Sequence, residues 1–567
     1  MLAGGLAEVV SLGAVIPFLA ALAAPEKVLS HPTVGSFFAV LHNISVAVAL
    51  PFPEIPRPRL FILIFAGAFA LAALGAGAIR LLLLWASVRL ANAAAAELSL
   101  EVYRRTLYQP YSIHVSCNSS AVISNITAKV GVVGGVLNCC LIVGTSFFIT
   151  LSIVLALFAI NPAVALIAAL TLGLSYTVIT LVSNKKLYQN SLRISKETTQ
   201  MIKALQEGLG GIRDVLLDGT QILYCRIYQK ADAPLRQAYA SNAFIGQSPR
   251  FIMETIGMLL FAALALGVVQ GPEGMVSALP LLGALALGAQ RLLPALQQAY
   301  AAWSAILGSQ AVTEDVLDLL DQPISFGIYR LASEPLPFTQ HLRFDSVSFR
   351  YNGESIWVIN RLSFEIKRGA RVGFVGNTGS GKSTCLDLLM GLLEPTEGRI
   401  LIDGAPLTHK NLRAWQKNIA HVPQAIYLSD STLAENIAFG LPEEKIDMTR
   451  VRKAACQAQI ADFIESSPKG YQALVGERGI RLSGGQRQRI GIARAIYKQA
   501  QVLVFDEATS ALDYETEDAV MQSIESLSAD LTILMIAHRT STLKNCEQII
   551  DLSSGPSVRK VIIPNQA

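Results

Sequence analysis

The stretch Gly376-Asn377-Thr378-Gly379-Ser380-Gly381-Lys382-Ser383-Thr384 constrains the chain more than any other. It fits GxxxxGK[ST] at every fixed position. The residues before it, Arg371 to Val375, are short, apolar and β-prone, and Cys385 to Met390 read as the start of a helix. A strand, a glycine-rich loop and a helix in that order make a cradle for phosphates. The glycines let backbone N–H groups turn inward, and the positive end of the helix adds to the attraction. Lys382 would reach the outer phosphates, and the Ser383 hydroxyl would ligate Mg2+. The nucleotide expected is ATP.

That domain is only part of the chain. Of 567 residues, 52% are hydrophobic and 16% charged, too apolar for an ordinary soluble protein. The apolar runs fall within residues 1–305, and residues 340–567 have a soluble composition. Six stretches reach the roughly 20 apolar residues that a membrane span needs: about 2–22, 60–88, 131–158, 161–184, 249–270 and 277–305. The third and fourth are parted only by Asn161-Pro162, which predicts a hairpin. The fifth and sixth are parted by Gly271-Pro272-Glu273-Gly274. A net charge of +4 gives no argument for a nucleic-acid partner. The cysteines show no metal-ligand spacing, and they fit a reducing cytosol.

Basic residues orient the spans. Segment 89–130 carries Arg89, Arg104, Arg105 and Lys129, and segment 185–248 is richer still in Lys and Arg, so both are expected in the cytoplasm. Both read as helical continuations of spans, broken at Gln109-Pro110-Tyr111 and Asp218-Gly219-Thr220. Their tips, near 109–118 and 219–228, are placed to touch a cytoplasmic partner. In the outer loop, Ser30 to Leu41 reads either as an amphipathic helix on the membrane surface or as an ordered loop.

Further stretches complete the nucleotide site. Val502 to Asp506 is a buried-strand pattern ending in an acid, so Asp506 would hold Mg2+ and Glu507 beside it would polarise the attacking water. Ser483-Gly484-Gly485-Gln486 opens a basic helix and forms a second anion-binding surface. One ATP would then be gripped between the loop of one copy and the second cradle of another, head to tail.

Residues 340–567 resemble the nucleotide-binding domain of an ABC transporter, with the elements in the same order. The resemblance implies that Tyr351 stacks on adenine, that Gln424 senses the γ-phosphate and joins Ser383 and Asp506 at the metal, and that Val475-Gly476-Glu477-Arg478-Gly479 is the exporter-specific loop. It implies further that Ser510-Ala511-Leu512-Asp513 is the D-loop, with Asp513 at the nucleotide, and that His538 is the switch histidine. Gln424, Glu507 and His538 would be the catalytic set. The fold class expected is an all-α six-helix transmembrane exporter domain over 1–305, a linker over 306–340, and an α/β phosphate-loop ATPase domain over 341–567. Resembled half-transporters work in pairs, so a homodimer is expected, multi-pass in a bacterial inner membrane with the ATPase in the cytoplasm. The two cytoplasmic tips would be its coupling helices.

Ionisable residues inside spans are costly and usually functional. Arg80, Arg250 and Arg291 would line a cavity that attracts an anionic headgroup, or would pair with Glu8 and Glu254 as structural ion pairs. Ser248 to Gly257, Gln290 to Ala295, and Glu8 to Phe18 with Pro17 resemble spans of bacterial lipid-linked oligosaccharide flippases of the protein-glycosylation type. That family has a further cavity arginine where Gln298 stands, and an amphipathic helix before the first span, whereas this sequence opens at Met1-Leu2-Ala3. The expected activity is ATP-driven flipping of an anionic lipid-linked substrate. The alternative is export of another cargo, such as a lipid A-like lipid, peptide or drug.

Overall fold

The computed structural model describes Gly5 and residues 57–160, 162–269, 274–322, 334–351, 356–507, 513–525, 530–536, 546–553 and 560–562. The first span apart from Gly5, the outer-loop segment Ser30 to Leu41, Glu8, Pro17, the turn 271–273, Ser510 to Leu512 and His538 lie outside the described residues. By internal contact the chain divides into two compact units: Met1–Leu107 with Cys117–Pro323, and Tyr108–Ser116 with Ile324–Ala567.

The first unit is helical: α1 (Arg57–Leu107), α2 (Tyr111–Ser116, which belongs to the second unit), α3 (Ser119–Ser124), α4 (Val130–Ile160), α5 (Pro162–Gly210), α6 (Ile212–Leu217), α7 (Gln221–Val269), α8 (Gly274–Leu307) and α9 (Gln310–Asp321). By length and apolarity, Ala66–Leu107, Ser119–Ala159 and Ala165–Gly210 can each cross a membrane. Helices α7 and α8 cover the fifth and sixth expected spans. Pro162 opens α5 at its first position, where a missing N–H leaves no bond unmade. The second cytoplasmic tip differs from the expectation. The expected break at Asp218-Gly219-Thr220 is present, a second break at Gly211 precedes it, and the short tip helix is Ile212–Leu217 between them. Gly219, at a φ of +63°, turns the chain, and residues 221–228 already belong to α7. Two adjacent glycines end a helix more readily than one.

A polar seam holds α9 against this bundle. Lys129 ends a π-helical stretch, Asn125–Lys129, a form that helices rarely adopt outside special sites. Its ammonium donates to Asp315 Oδ2 at 2.6 Å and to Ser195 Oγ at 3.2 Å. Ser195 also bonds Asp315. On α5 the Ser191 hydroxyl accepts from the Ala311 N–H at 2.8 Å. Asn190 donates to Asn242 at 2.8 Å, and Asn242 in turn reaches the Gly308 carbonyl at 3.4 Å.

The second unit holds two sheets. One is antiparallel, in the order β2 (Ile359–Lys367), β1 (His341–Phe349), β4 (Glu397–Ile402), β5 (Ala405–Pro406). The other runs β10 (Lys560–Ile562), β9 (Gln548–Asp551), β3 (Arg371–Val375), β8 (Thr532–Ile536), β7 (Val502–Asp506), β6 (Ile419–Val422). Strands β9, β3, β8, β7 and β6 are parallel. The residues of β8 are all buried, and only the ends of β3 and β7 are not, as a sheet covered on both faces requires. The carboxyl ends of parallel strands share one edge, where ligands of open α/β sheets bind. Gly376 and Glu507 follow β3 and β7 at that edge. Behind it, Phe344 stacks on Phe364 at 4.4 Å, and the fully buried Trp415 donates its indole N–H to the Leu389 carbonyl at 2.8 Å. That bond caps the end of the helix that follows the loop.

Removing Asp315 leaves the Lys129 ammonium, 6% exposed, without its carboxylate. Breaking such a pair by deleting one partner costs ~3–5 kcal/mol. Asp315→Ala is expected to lower the melting temperature of the reconstituted protein by several degrees. Lys129→Met with Asp315→Leu is expected to recover most of the loss, because no buried charge then remains. Thermal melts of the two variants in nanodiscs check this.

Candidate functional site: a nucleotide cradle and a membrane-unit cavity

The loop from β3 to the helix Lys382–Leu389 is built on backbone that side chains resist. Gly376, Gly379 and Gly381 have φ of +150°, +82° and +90°. A Cβ on Gly376 would sit 2.6 Å from Ser380 Oγ, and one on Gly381 3.2 Å from the Val358 carbonyl oxygen. So folded, the loop turns its Gly376 and Asn377 carbonyls onto Lys382, whose ammonium donates to them at 2.7 and 3.1 Å. Lys382 is only 8% exposed. Thr384 Oγ1 lies 3.3 Å from the Tyr351 phenol oxygen, and either hydroxyl can donate.

Acidic groups converge from the other side. The Ser383 hydroxyl hydrogen-bonds Asp506. Burial, with Glu507 alongside, pushes the Asp506 carboxyl up, against the pull of Ser383 and Lys382. Glu507 has a φ of +51°, a left-handed conformation rare for a non-glycine residue and most often found at functional sites. Its N–H is tied to the Ile536 carbonyl at 3.2 Å, and Gln424 Nε2 donates to Glu507 Oε2 at 2.7 Å. The structure therefore brings Tyr351, the loop, Gln424, Asp506 and Glu507 together.

Asp387 was not anticipated. It sits one turn beyond Ser383, the i,i+4 spacing that puts both on one helix face. Burial and the neighbouring Asp506 push it up to about 6. Tyr111, on the other side, is pushed up by burial, by Asp387 and by Tyr351. Helix α2 thus packs in the same unit as the cradle, beside a cavity of about 550 Å3 that Tyr111, His114, Tyr351 and Gln416 help to line.

Ser483 caps the helix Gly484–Lys498 in a reciprocal box: its hydroxyl accepts from the Gln486 N–H at 3.2 Å, and its own N–H donates to Gln486 Oε1 at 2.9 Å. Gly484 and Gly485 supply the first turn, whose N–H groups have no partner within the helix. Ser483 is exposed. Arg494, lower on that helix, donates to the Asn436 and Tyr427 carbonyls at 2.9 and 3.0 Å and so fixes the helix to the segment after Gln424. Asp513 accepts from the Thr516 N–H and hydroxyl at 3.0 and 2.8 Å, which makes it the cap of the helix Tyr514–Glu525.

A cavity of about 580 Å3 opens among α5, α7 and α8, lined by Tyr176, Arg250, Glu254, Gln290, Gln297 and Gln298 among others. Of the three arginines, Arg250 lines it, and its Nε donates to Glu254 Oε1 at 2.8 Å. Positions i and i+4 on one helix meet by geometry. Gln290 and Gln297 share a helical face, and Gln298 shares the adjoining stripe with Arg291, seven residues before it. Arg80 is exposed on α1.

Two family models match the chain, an ABC transporter transmembrane region over residues 54–277 and an ABC transporter domain over 359–510. The ATP-dependent lipid A-core flippase of Cupriavidus metallidurans is 31% identical over 480 residues, which cover 82% of this chain and 78% of that protein. The flippase of the same description from Ralstonia nicotianae is 30% identical, with 82% and 79% covered. The solved structure of a bacterial Atm1-family ABC exporter with ATP bound superposes with a TM-score of 0.77 at 26% identity, covering 94% of this chain and 95% of that one. The chain belongs to the ABC transporter family, as an exporter-type half-transporter whose multi-pass membrane domain is followed by an ATP-binding ATPase domain.

Proposed function

We propose that the protein is an ATP-driven flippase for a lipid with a glycan headgroup, working as a homodimer in a bacterial inner membrane. The observation that carries this reading is the similarity to lipid A-core flippases, which runs through both halves of the chain. A lipid-linked oligosaccharide, the cargo suggested by the span motifs, is the second member of the same chemical class.

In this reading Lys382 and the loop N–H groups hold the phosphates, and the Tyr351 ring takes the adenine. Ser383 and Asp506 form a hard-oxygen donor pair already joined by a hydrogen bond, and Gln424, bonded to the adjacent Glu507, would complete it. That set suits Mg2+, which keeps few protein ligands and shares the phosphates. Mg2+ there would neutralise charge developing on the phosphate oxygens. Glu507 accepts the proton of the attacking water, and Gln424 aims the Glu507 carboxylate. Ser483 and Gly485 close the site from the second copy, with Asp513 at the same interface, and His538 reads the γ-phosphate. Closure of two such sites rocks the helices through α2 and α6.

Glu507→Gln keeps the shape and removes the base. ATP hydrolysis is expected to fall ~10²–10⁴-fold while ATP binding is retained. Gln424→Ala is expected to lower kcat more than it raises KM, since the bond it makes in the structure is to the Glu507 carboxylate. Steady-state ATPase assays with a fluorescent ATP analogue for binding separate the two. For cargo, purified lipid A-core added to nanodiscs is expected to stimulate wild-type ATPase several-fold. Stimulation by a peptide or drug with none by lipid A-core or lipid-linked oligosaccharide would overturn the glycolipid reading.

A further inference from the structure

The cavity among α5, α7 and α8 has the wrong electrostatics for an anion and the right hydrogen bonding for a sugar. Its charged lining among the described residues is Arg250 and Glu254, and these are bonded to each other at 2.8 Å. The Gln297 amide also hydrogen-bonds Glu254. The Nη groups of Arg250 remain free to donate, but beside the Glu254 carboxylate the pair carries no net charge, so this lining offers an anion little net attraction. What remains is amide and phenol: Gln247, Gln290, Gln298, Tyr176 and Tyr300. These groups both donate and accept, as sugar hydroxyls do. The Tyr176 hydroxyl is buried and has no hydrogen-bond partner among the described residues. Its ring lies 5.7 Å from that of Tyr300, tilted by 41°, and Tyr300 is itself anchored to Ser183 at 3.3 Å. Buried polar atoms are nearly always satisfied, and this phenol belongs to a residue on the cavity wall. Phe251 adds an apolar ring to the same lining, and a volume of about 580 Å3 falls within the range of ligand sites.

We propose that this cavity recognises the neutral, hydroxyl-rich glycosyl part of the cargo, through the amides of Gln290 and Gln298 and the Tyr176 hydroxyl, and that phosphate charge is not what it reads. The inference rests on the glycolipid reading above and sharpens it: Arg250 serves to hold Glu254, and the headgroup is chosen by hydrogen bonds to hydroxyls.

The test uses the full-length protein in phosphatidylcholine nanodiscs and two probes with matched acyl chains, diglucosyl diacylglycerol and phosphatidic acid. ATPase stimulation is read against lipid concentration, and adducts are read by native mass spectrometry. Diglucosyl diacylglycerol is expected to bind and stimulate, and phosphatidic acid is not. Gln290→Leu and Gln298→Leu are each expected to raise the half-maximal glycolipid concentration about tenfold, the worth of one net hydrogen bond. Gln298→Asn should recover part of that loss, and Tyr176→Phe should weaken the glycolipid response alone. Phosphatidic acid stimulating where the glycolipid does not, with Arg250→Ala abolishing the response, would overturn the headgroup inference and leave a lipid flippase standing. Silence toward both probes and toward lipid A-core would overturn the glycolipid reading itself.

Discussion

One buried ammonium governs the ATPase unit. Lys382 is almost out of water, and a charge in that position costs several kcal/mol unless it is satisfied. Two loop carbonyls satisfy it, and they can point inward only because the glycines at 376, 379 and 381 accept backbone that other residues resist. The helix N-terminus adds positive potential on the same side. Asp387, Asp506 and Glu507 add negative potential on the other. The site is therefore a steep local field across a few ångströms, positive at the loop and negative at the ends of β7 and the loop helix. A polyphosphate with a divalent cation suits that field better than either charge alone.

The same acids tie the cradle to a segment distant in sequence. Tyr111 of α2 shares an electrostatic neighbourhood with Asp387 and Tyr351. In the membrane unit the corresponding rigidity comes from the seam of Asn190, Ser191, Ser195, Lys129 and Asp315. It fixes α9, the last helix before the chain enters the second unit, to α5. Satisfied polar networks of this kind specify one packing where apolar surfaces tolerate several.

Most of the nucleotide site was legible because its chemistry is local. Each motif is a few residues at the end of a strand or the start of a helix, and those positions are set by short-range backbone rules. Two features were hidden for physical reasons. Asp387 looks like any solvated acid on a helix until its strand neighbour Asp506 is placed beside it. Lys129 and Asp315 are 186 residues apart, and no local pattern links them. The Arg250–Glu254 pair follows from i,i+4 spacing on one helix and is one of the two readings that the sequence left open for these charges. The second tip was misplaced by a few residues because Gly219 drew attention away from the Gly210-Gly211 pair that ends α5.

The central claim is that ATP draws the Ser483 cap of one copy onto the Lys382 loop of another. The direct measurement is a cross-link in a cysteine-depleted Glu507→Gln protein, with Ser380→Cys on one copy and Ser483→Cys on the other, joined by a short bismaleimide. A covalent dimer that forms with ATP and not without nucleotide is the predicted result. Equal cross-linking with and without ATP, or none in either state while ATP binds normally, would contradict it.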